Sequence, residues 1–228
     1  MEHEIHHEGS GALLQVSLKQ NEAVKAESNA MVAMSGKVTV EGKMDGGIFG
    51  GLKRAFLAGE KFFVQVLTAK QEDGLVLLAP SLPGDIKVLS VKPGNQYLLQ
   101  RGAFLAAMGG ADIDTQMQNL AKGFFSGAGF FVQKTQGTGK IAVSAFGAIQ
   151  EIDVPAGEEF VVDNGHLVAW TDTMSYKLEK AAKSGWFSSA TSGEWLVCRF
   201  KGPGTLFVQT RNPSAFGEWV RAQVPSKS

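Results

Sequence analysis

The chain has one cysteine, Cys198, among its 228 residues. A single thiol cannot form an internal disulfide or a metal site made of cysteines alone, so the fold does not depend on an oxidising compartment. Net charge is also absent, because 22 Lys and Arg residues balance 22 Asp and Glu residues. The chain therefore lacks the excess of basic residues that is typical of nucleic-acid-binding proteins, and we consider nucleic acid an unlikely partner.

Long hydrophobic runs are missing as well. No apolar stretch approaches the roughly 18 residues that a membrane-spanning helix needs. The opening residues MEHEIHHE have neither the basic nor the apolar segment of a secretory signal. We therefore expect a cytoplasmic protein and leave peripheral contact with a membrane open. Hydrophobic residues still make up 44% of the chain, which is enough for a core and excludes wholesale disorder.

Proline is scarce and glycine is abundant, with 7 and 28 residues, and two sequence blocks between the glycine-rich turns recur three times. The first block is a turn residue followed by a short apolar strand with alanine in the fifth place, at 29–34, 102–107 and 165–170. The second is an apolar strand start at 62–65, 130–133 and, more loosely, 195–198. A glycine then opens a further strand at Gly74, Gly139 and Gly204. The recurrence, at about 60 to 75 residues, predicts three β units packed together.

Alternation of apolar and polar residues predicts further strands at 37–41, 112–114 and 175–179. We therefore predict an all-β fold of three tandem pseudo-equivalent units with few short helices. The expected divisions are a flexible N-terminus at 1–12, β units at 13–93, 94–154 and 155–214, and a C-terminal tail at 215–228. The residues that begin the second block, Phe62, Phe130 and Trp195, are expected to be buried at matching positions.

Several turn and strand motifs carry a family resemblance. They are GGIFGGLKR (46–54), GEKFF (59–63), LPGDI (82–86), GAFLA (102–106), VDNGHLVA (162–169) and GPGTLFVQTR (202–211). Together they resemble an uncharacterised bacterial family related to the fungal "altered inheritance of mitochondria" inner-membrane biogenesis protein. The resemblance extends from about Leu13 to Arg211.

What the resemblance implies is mainly structural. It implies short double-stranded β-helix units packed as one globule, with a fold similar to the tryptophan RNA-binding attenuation protein. It also implies a structural or assembly role in membrane organisation. It supplies no catalytic residues and no cofactor.

Two local patterns have a chemical and a plain interpretation. Gly137-Thr138-Gly139-Lys140 resembles the end of a P-loop, but the earlier glycine and the Ser or Thr after the lysine are missing, which favours a hairpin turn. His3, His6 and His7, interleaved with glutamates, could bind a divalent metal. A flexible, solvated terminus is the favoured interpretation, and we predict no metal site.

The remaining reactive side chains also favour structural roles. His166 lies near Asp163 and Asp172 in the sequence, but no Gly-x-Ser-x-Gly elbow supplies a nucleophile, so we expect a locally hydrogen-bonded histidine. Arg199 could lower the pKa of the Cys198 thiol, although an ordinary strand cysteine is the better interpretation.

Two carboxylates, Asp85 and Glu60, could act as an acid and base pair only if they converge. The spacing gives no reason to expect this, so we interpret them as a turn residue and an exposed residue. No catalytic residue is predicted.

Aromatic and cationic residues cluster in three glycine-rich connectors. The candidate interaction surface consists of Phe49, Leu52, Lys53, Arg54, Phe56, Phe124, Phe125, Trp186 and Phe187. Cations beside aromatic rings suit a membrane interface or a single-stranded nucleic acid. Contact within the core or between copies is the favoured alternative.

The sequence therefore predicts a non-enzymatic binding or scaffold protein that assembles as a homo-oligomer, with a protein complex or a membrane surface as further partners. The alternative is a small-molecule-binding β-helix protein, or an enzyme with a pocket between units. A deep pocket in which several titratable groups converge would favour that alternative.

Overall fold

The computed structural model describes residues 1–9, 11–44, 63–114, 132–180 and 196–224. Within these ranges the chain forms 19 strands, one α-helix, α1 (Pro213–Gln223), and one 3-10 turn at Asn164–His166. The prediction of an all-β fold is confirmed.

The strands are described in three groups of six, preceded by β1 (Glu2–His6). The first group is β2 (Leu13–Leu18), β3 (Ala23–Glu27), β4 (Met31–Met34), β5 (Val38–Met44), β6 (Phe63–Ala69) and β7 (Gly74–Leu78). The middle group is β8 (Ile86–Val91), β9 (Tyr97–Gln100), β10 (Phe104–Met108), β11 (Ala111–Asp114), β12 (Val132–Gly137) and β13 (Gly139–Ser144). The last group is β14 (Ile149–Val154), β15 (Glu159–Asp163), β16 (Leu167–Thr171), β17 (Ser175–Lys180), β18 (Leu196–Lys201) and β19 (Gly204–Gln209).

The same antiparallel pairing order occurs in each group. The first strand pairs with the sixth, the sixth with the third, the fourth with the fifth, and the fifth with the second. Neighbouring groups are joined because the second strand of one pairs with the third strand of the next, β3 with β10 and β9 with β16. The result is sheets of four, six, six and three strands. By this pairing, β8 and β14 belong with the strands that follow them, so each of these groups begins one strand before the division expected from the sequence.

Each sixth strand begins with a glycine because side chains and backbone crowd that position. A Cβ on Gly74 would press on the Val38 side chain, and one on Gly204 would press on Met174. A Cβ on Gly139 would collide with backbone oxygens of Met108 and Gly109. The glycines that predicted the repeated strands are therefore required by close packing.

Each third strand contains a β-bulge at the same place. The register shifts between Met31 and Ala33 in β4, between Phe104 and Ala106 in β10, and between Leu167 and Ala169 in β16. The alanine that recurs in the sequence is thus the residue directly after the bulge. Pairing with the preceding group begins at this alanine in β10 and β16.

The core follows the period-two alternation of the strands. In β2, every second side chain is buried, and in β3 Val24 and Ala26 are buried. In the last group, the fully buried ring of Trp170 packs edge-on against Tyr176 and Phe200, with centroids 5.1 and 5.4 Å away. The expected burial of Phe62, Phe130 and Trp195 concerns positions outside the described residues.

The N-terminus differs from the flexible segment expected from the sequence, because Glu2–His6 forms β1, paired with β2. Its charged residues alternate, so Glu2 and Glu4 are exposed while His3 and Ile5 are partly buried. The first turn is also fixed, since Gly9 donates its N–H to the Asp85 carboxylate at 3.2 Å. The alternation of exposed and partly buried residues is therefore a better guide to the structure of this segment than its acidic, histidine-rich composition.

The expected C-terminal tail, 215–228, includes most of α1, which begins two residues earlier at Pro213. Asn212 caps the helix by accepting hydrogen bonds from the N–H groups of Ser214 and Ala215, and Pro213 occupies the first turn. Phe216 packs on Phe146 with ring centroids 5.1 Å apart. No helix in the described ranges is long and apolar enough to cross a membrane.

Candidate functional site

All nine residues of the predicted interaction surface lie outside the described residues. Its three connectors, 45–62, 115–131 and 181–195, each link the fourth strand of a group to the fifth. The surface therefore remains a prediction.

A cavity of about 390 Å³ is lined by residues of all three groups. Glu27 and Gln100 come from the ends of β3 and β9, and Asn164 follows the end of β15. Glu27 and Gln100 come together because β3 and β9 lie at the junctions between groups, and Asn164 lies just before β16, which pairs with β9. The Gln100 side-chain amide donates to Asn164 Oδ1 at 3.1 Å across one such junction.

The wall of this cavity is mixed, with several polar side chains set among apolar ones. Burial raises the pKa of the Glu27 carboxyl above its ordinary value of 4.5, because the charged form loses water. Gln100 Oε1 is buried and accepts no hydrogen bond from the described residues. Arg101 adds a cationic side chain to the same wall.

Gln209 lines one side of the cavity and is held there by structural contacts. The Gln209 side chain accepts from the Phe146 N–H at 2.8 Å and donates to the Gly165 carbonyl at 3.0 Å. His166 Nδ1 lies 2.8 Å from the Gln209 carbonyl, so this nitrogen carries the proton and donates. His166 is hydrogen-bonded as expected, but its partner is 43 residues away in the sequence and not local.

The two aspartates near His166 in the sequence have other partners. Asp163 accepts a hydrogen bond from the Gly165 N–H at 2.8 Å, and Asp172 forms an ion pair with Lys134 at 2.9 Å. These carboxylates hold a turn and a contact between groups.

Cys198 lies on β18 with no solvent exposure. Burial, followed by the nearby Asp163 charge, raises its pKa to about 12. Arg199 therefore does not activate the thiol, and its guanidinium instead pairs with Glu159 and Glu179 at 3.4 and 3.5 Å. The interpretation as an ordinary strand cysteine is confirmed.

The histidines at the N-terminus follow the geometry of β1. Residues three apart on a strand point to opposite faces, so His3 and His6 do not share a face. His3 Nδ1 lies 3.4 Å from the Lys140 ammonium, and burial and then Lys140 lower its pKa. Within the ranges that the structure describes, no three His, Cys, Asp or Glu side chains are grouped to hold a metal.

The segment that resembles a P-loop is the tight turn between β12 and β13. Gly137 has a φ of +78°, and a Cβ there would collide with the Gly110 carbonyl. The segment is a turn, as expected, but the prediction of a hairpin is wrong, because β12 and β13 do not pair with each other and belong to different sheets.

Asp85 acts as a turn residue, because its Oδ1 accepts from the N–H groups of Gly9 and Ile86. Glu60 lies outside the described residues, so convergence of this pair is not part of the observed site.

Two features of the site were missed by reasoning from the sequence. Glu27 and Gln100 occupy the same place in their groups, but no local motif marks the residues that line a cavity between groups. The helix α1 had a signal that was overlooked, since Asn-Pro followed by Phe216, Trp219 and Val220 has a cap and a helical apolar spacing.

Taken together, fold and site define an all-β protein built from a recurring strand pairing, in which the candidate reactive side chains are held by structural contacts. The sequence profile described as mitochondrial biogenesis AIM24 matches residues 3–211. The chain belongs to this family, and the resemblance found in the sequence is confirmed.

Bacterial relatives agree with this assignment. An uncharacterised protein of Streptococcus pyogenes serotype M6 is 30% identical over 223 residues, which cover 95% of this chain and 88% of that protein. A crystal structure of a Streptococcus pyogenes protein matches with a TM-score of 0.79 at 29% identity, covering 98% of this chain and 99% of that one.

Proposed function

We propose that this protein is a non-enzymatic scaffold that works as a homo-oligomer. The observation that carries the proposal is the apolar edge of the first group. All four residues of β4 are exposed, and Val32 is 57% exposed. An apolar strand at a sheet edge tends to pair with another chain, so a stable protein must cover it.

The state of the reactive side chains supports the non-enzymatic part of the proposal. A thiol with a pKa of about 12 is protonated at neutral pH and is a weak nucleophile. His166 gives its Nδ1 to a backbone carbonyl. These side chains contribute to folding through the contacts that would have to be broken for catalysis.

The experiment is the mass of the purified protein in solution. One copy has a mass of 24.3 kDa. Light scattering coupled to size exclusion should give a whole-number multiple of this mass at micromolar concentration. A single-copy mass that persists as concentration rises would overturn the proposal.

A membrane surface is the second partner in this proposal, and α1 is the element that supports it. Trp219 is 61% exposed and Val220 lies beside it, so one face of the helix offers an aromatic and aliphatic stripe. Such stripes insert at membrane interfaces. Flotation with phospholipid vesicles should carry the protein upward, and Trp219→Ala should reduce the floated fraction. Equal flotation of the wild type and Trp219→Ala would contradict the proposal that α1 contacts the membrane.

Small-molecule binding is a second candidate, favoured by the cavity of about 390 Å³, which falls in the size range of ligand pockets. Glu27 and Arg101 offer opposite charges on its wall, which suits a small zwitterion such as an amino acid. Calorimetric titration of the 20 common amino acids into the protein tests this candidate. Saturable heat that disappears in Arg101→Ala would support it.

A further inference from the structure

The two ends of the array each lack a strand neighbour that their counterparts have. In the middle and last groups, the third strand lies between its own sixth strand and the second strand of the preceding group. In the described part of the chain, β4 pairs with β7 alone. At the other end, β15 pairs with β18 alone, whereas β3 and β9 each have a third strand on their second side.

Exposure follows this difference. Every residue of β10 is buried, and in β16 the first four residues are buried. The corresponding β4 leaves Met31 and Met34 each 37% exposed. In β15, Phe160 and Val161 are 40% and 43% exposed. Apolar side chains are thus exposed at the two edges where a neighbouring strand is missing.

We propose that β15 of one copy pairs antiparallel with β4 of a second copy, in the register that joins neighbouring groups within the chain. This inference rests on the proposed homo-oligomer and specifies its interface. A second copy is the occupant because this chain already carries both halves of the pairing and uses them twice, in β3 with β10 and in β9 with β16. The interface between copies continues the interface between groups.

The internal register fixes which residues meet. Ala26 lies opposite Ala106, and Leu99 lies opposite Ala169, which places Val162 opposite Ala33 of the second copy. Moving one residue along each strand places Val161 opposite Met34. The three-stranded sheet of one copy and the four-stranded sheet of the next then form one seven-stranded sheet.

Other sheet edges do not have the same character. The fourth strand lies at an edge in all three groups, so an open edge there is a regular part of the fold. The edges of β4 and β15 are specific to the ends of the array. Their pairing is heterologous, since each copy gives a different edge to each neighbour, and the copies follow one another head to tail.

The experiment is a cysteine cross-link at the Met34–Val161 pair. Directly opposite residues of antiparallel strands have Cα atoms about 4.5 to 5.5 Å apart, within the range that a disulfide spans. Under mild oxidation, Met34→Cys/Val161→Cys should give covalent multimers on a non-reducing gel. The native thiol does not compete, because Cys198 is fully buried.

Single variants identify the arrangement. Met34→Cys alone and Val161→Cys alone should remain uncross-linked, because head-to-tail pairing never brings two identical edges together. The matched control is Val40→Cys/Val161→Cys, since Val40 is 41% exposed on the edge strand β5 and should give no cross-link. Covalent dimers of either single variant would overturn the proposal in favour of identical edges facing each other.

A second variant keeps the test independent of oxidation. Val161→Glu places a charge opposite Met34 and should raise the dissociation constant of the assembly by about 30-fold or more. Val40→Glu should leave the constant unchanged. A multimeric wild type that neither cross-links in the double variant nor weakens in Val161→Glu would overturn this interface while the proposed homo-oligomer stands. A monomeric wild type would overturn both.

Discussion

The third strands of the first and middle groups have similar sequences and opposite surroundings. Both β4, MVAM, and β10, FLAAM, are apolar throughout, carry the same bulge and pair with the sixth strand of their group. One is exposed along its whole length, and the other is buried along its whole length. The difference shows that burial depends here on the neighbouring strand, because β10 pairs with β3 on its second side and β4 has no such neighbour in the described part of the chain.

The largest expected effect comes from substitutions at the bulged residue. Leu105 and Val168 have 0% and 1% exposure, whereas Val32 at the same position of β4 is 57% exposed. Leu105→Ala should lower the free energy of unfolding by about 2–5 kcal/mol, and Val168→Ala by about 2 kcal/mol. Val32→Ala should change it by less than about 0.5 kcal/mol in dilute, monomeric protein. Urea titration measures all three, and equal losses for Val168 and Val32 would break the comparison.

Crowding at turns gives the next effect. Gly137 in the middle group and Gly157 in the last group both have positive φ values, +78° and +84°. A Cβ would collide with the Gly110 carbonyl at Gly137 and would meet nothing within 4 Å at Gly157. Gly137→Ala should therefore cost about 1–3 kcal/mol more than Gly157→Ala in thermal or urea unfolding. Equal costs would mean that backbone strain alone explains both turns.

The cavity offers a comparison through pH. Glu27 in the first group stands where Gln100 stands in the middle group, and burial raises the pKa of its carboxyl above 4.5. A raised pKa means that the folded state binds the proton more tightly, so this contribution to stability is present below about pH 4.5 and is lost as pH rises through the folded pKa. The free energy of unfolding of Glu27→Gln, measured by urea titration, should therefore increase relative to that of the wild type as the pH rises from acid to neutral.

A carboxylate of the opposite kind serves as its control. A hydrogen bond from the Lys19 N–H lowers the pKa of Glu22, so its contribution is present at neutral pH and lost as the pH falls. The free energy of unfolding of Glu22→Gln should therefore decrease relative to that of the wild type as the pH rises from acid to neutral. Curves that stay parallel to the wild type for both variants would contradict the burial of Glu27.

The smallest expected effect concerns ion pairs. Lys25 and Asp112 join the first and middle groups at 2.7 Å with side chains 23% and 36% exposed. Asp112→Asn should lower the free energy of unfolding by up to about 1 kcal/mol, less at high salt. Lys19 and Asp73 form an exposed pair within the first group, 74% and 60% exposed, and Asp73→Asn should cost less. The reverse order in urea titrations would mean that contact between groups adds nothing to the pair.

Several parts of the fold could be predicted from the sequence because their causes are local. Alternation predicted the strands that became β5, β11 and β17. Crowded glycines predicted the starts of β7, β13 and β19, and the alanine that follows each bulge marked the third strands. In each case a side-chain size or a two-residue period leaves a direct trace in the sequence.

What escaped prediction depends on pairing between distant residues. The pairing of β3 with β10 places Ala26 opposite Ala106, and the sequence near either alanine gives no indication of its partner. The cavity lies beside such joins, and β4 is exposed because it has no join of this kind among the described strands. The helix α1 was missed for a different reason, since its cap signal is local but lies beyond the last repeat.

The bulge in each third strand has a consequence for curvature. An extra residue increases the local twist of a strand, and pairing between groups begins directly after the bulge, at Ala106 and Ala169. The bulges of β10 and β16 therefore contribute to the angle at which each group meets the preceding one, while the bulge of β4 lies at the open edge of the first group. Under the proposed pairing, the turn from copy to copy is the same angle repeated, so one inserted residue per group determines how many copies complete a circle.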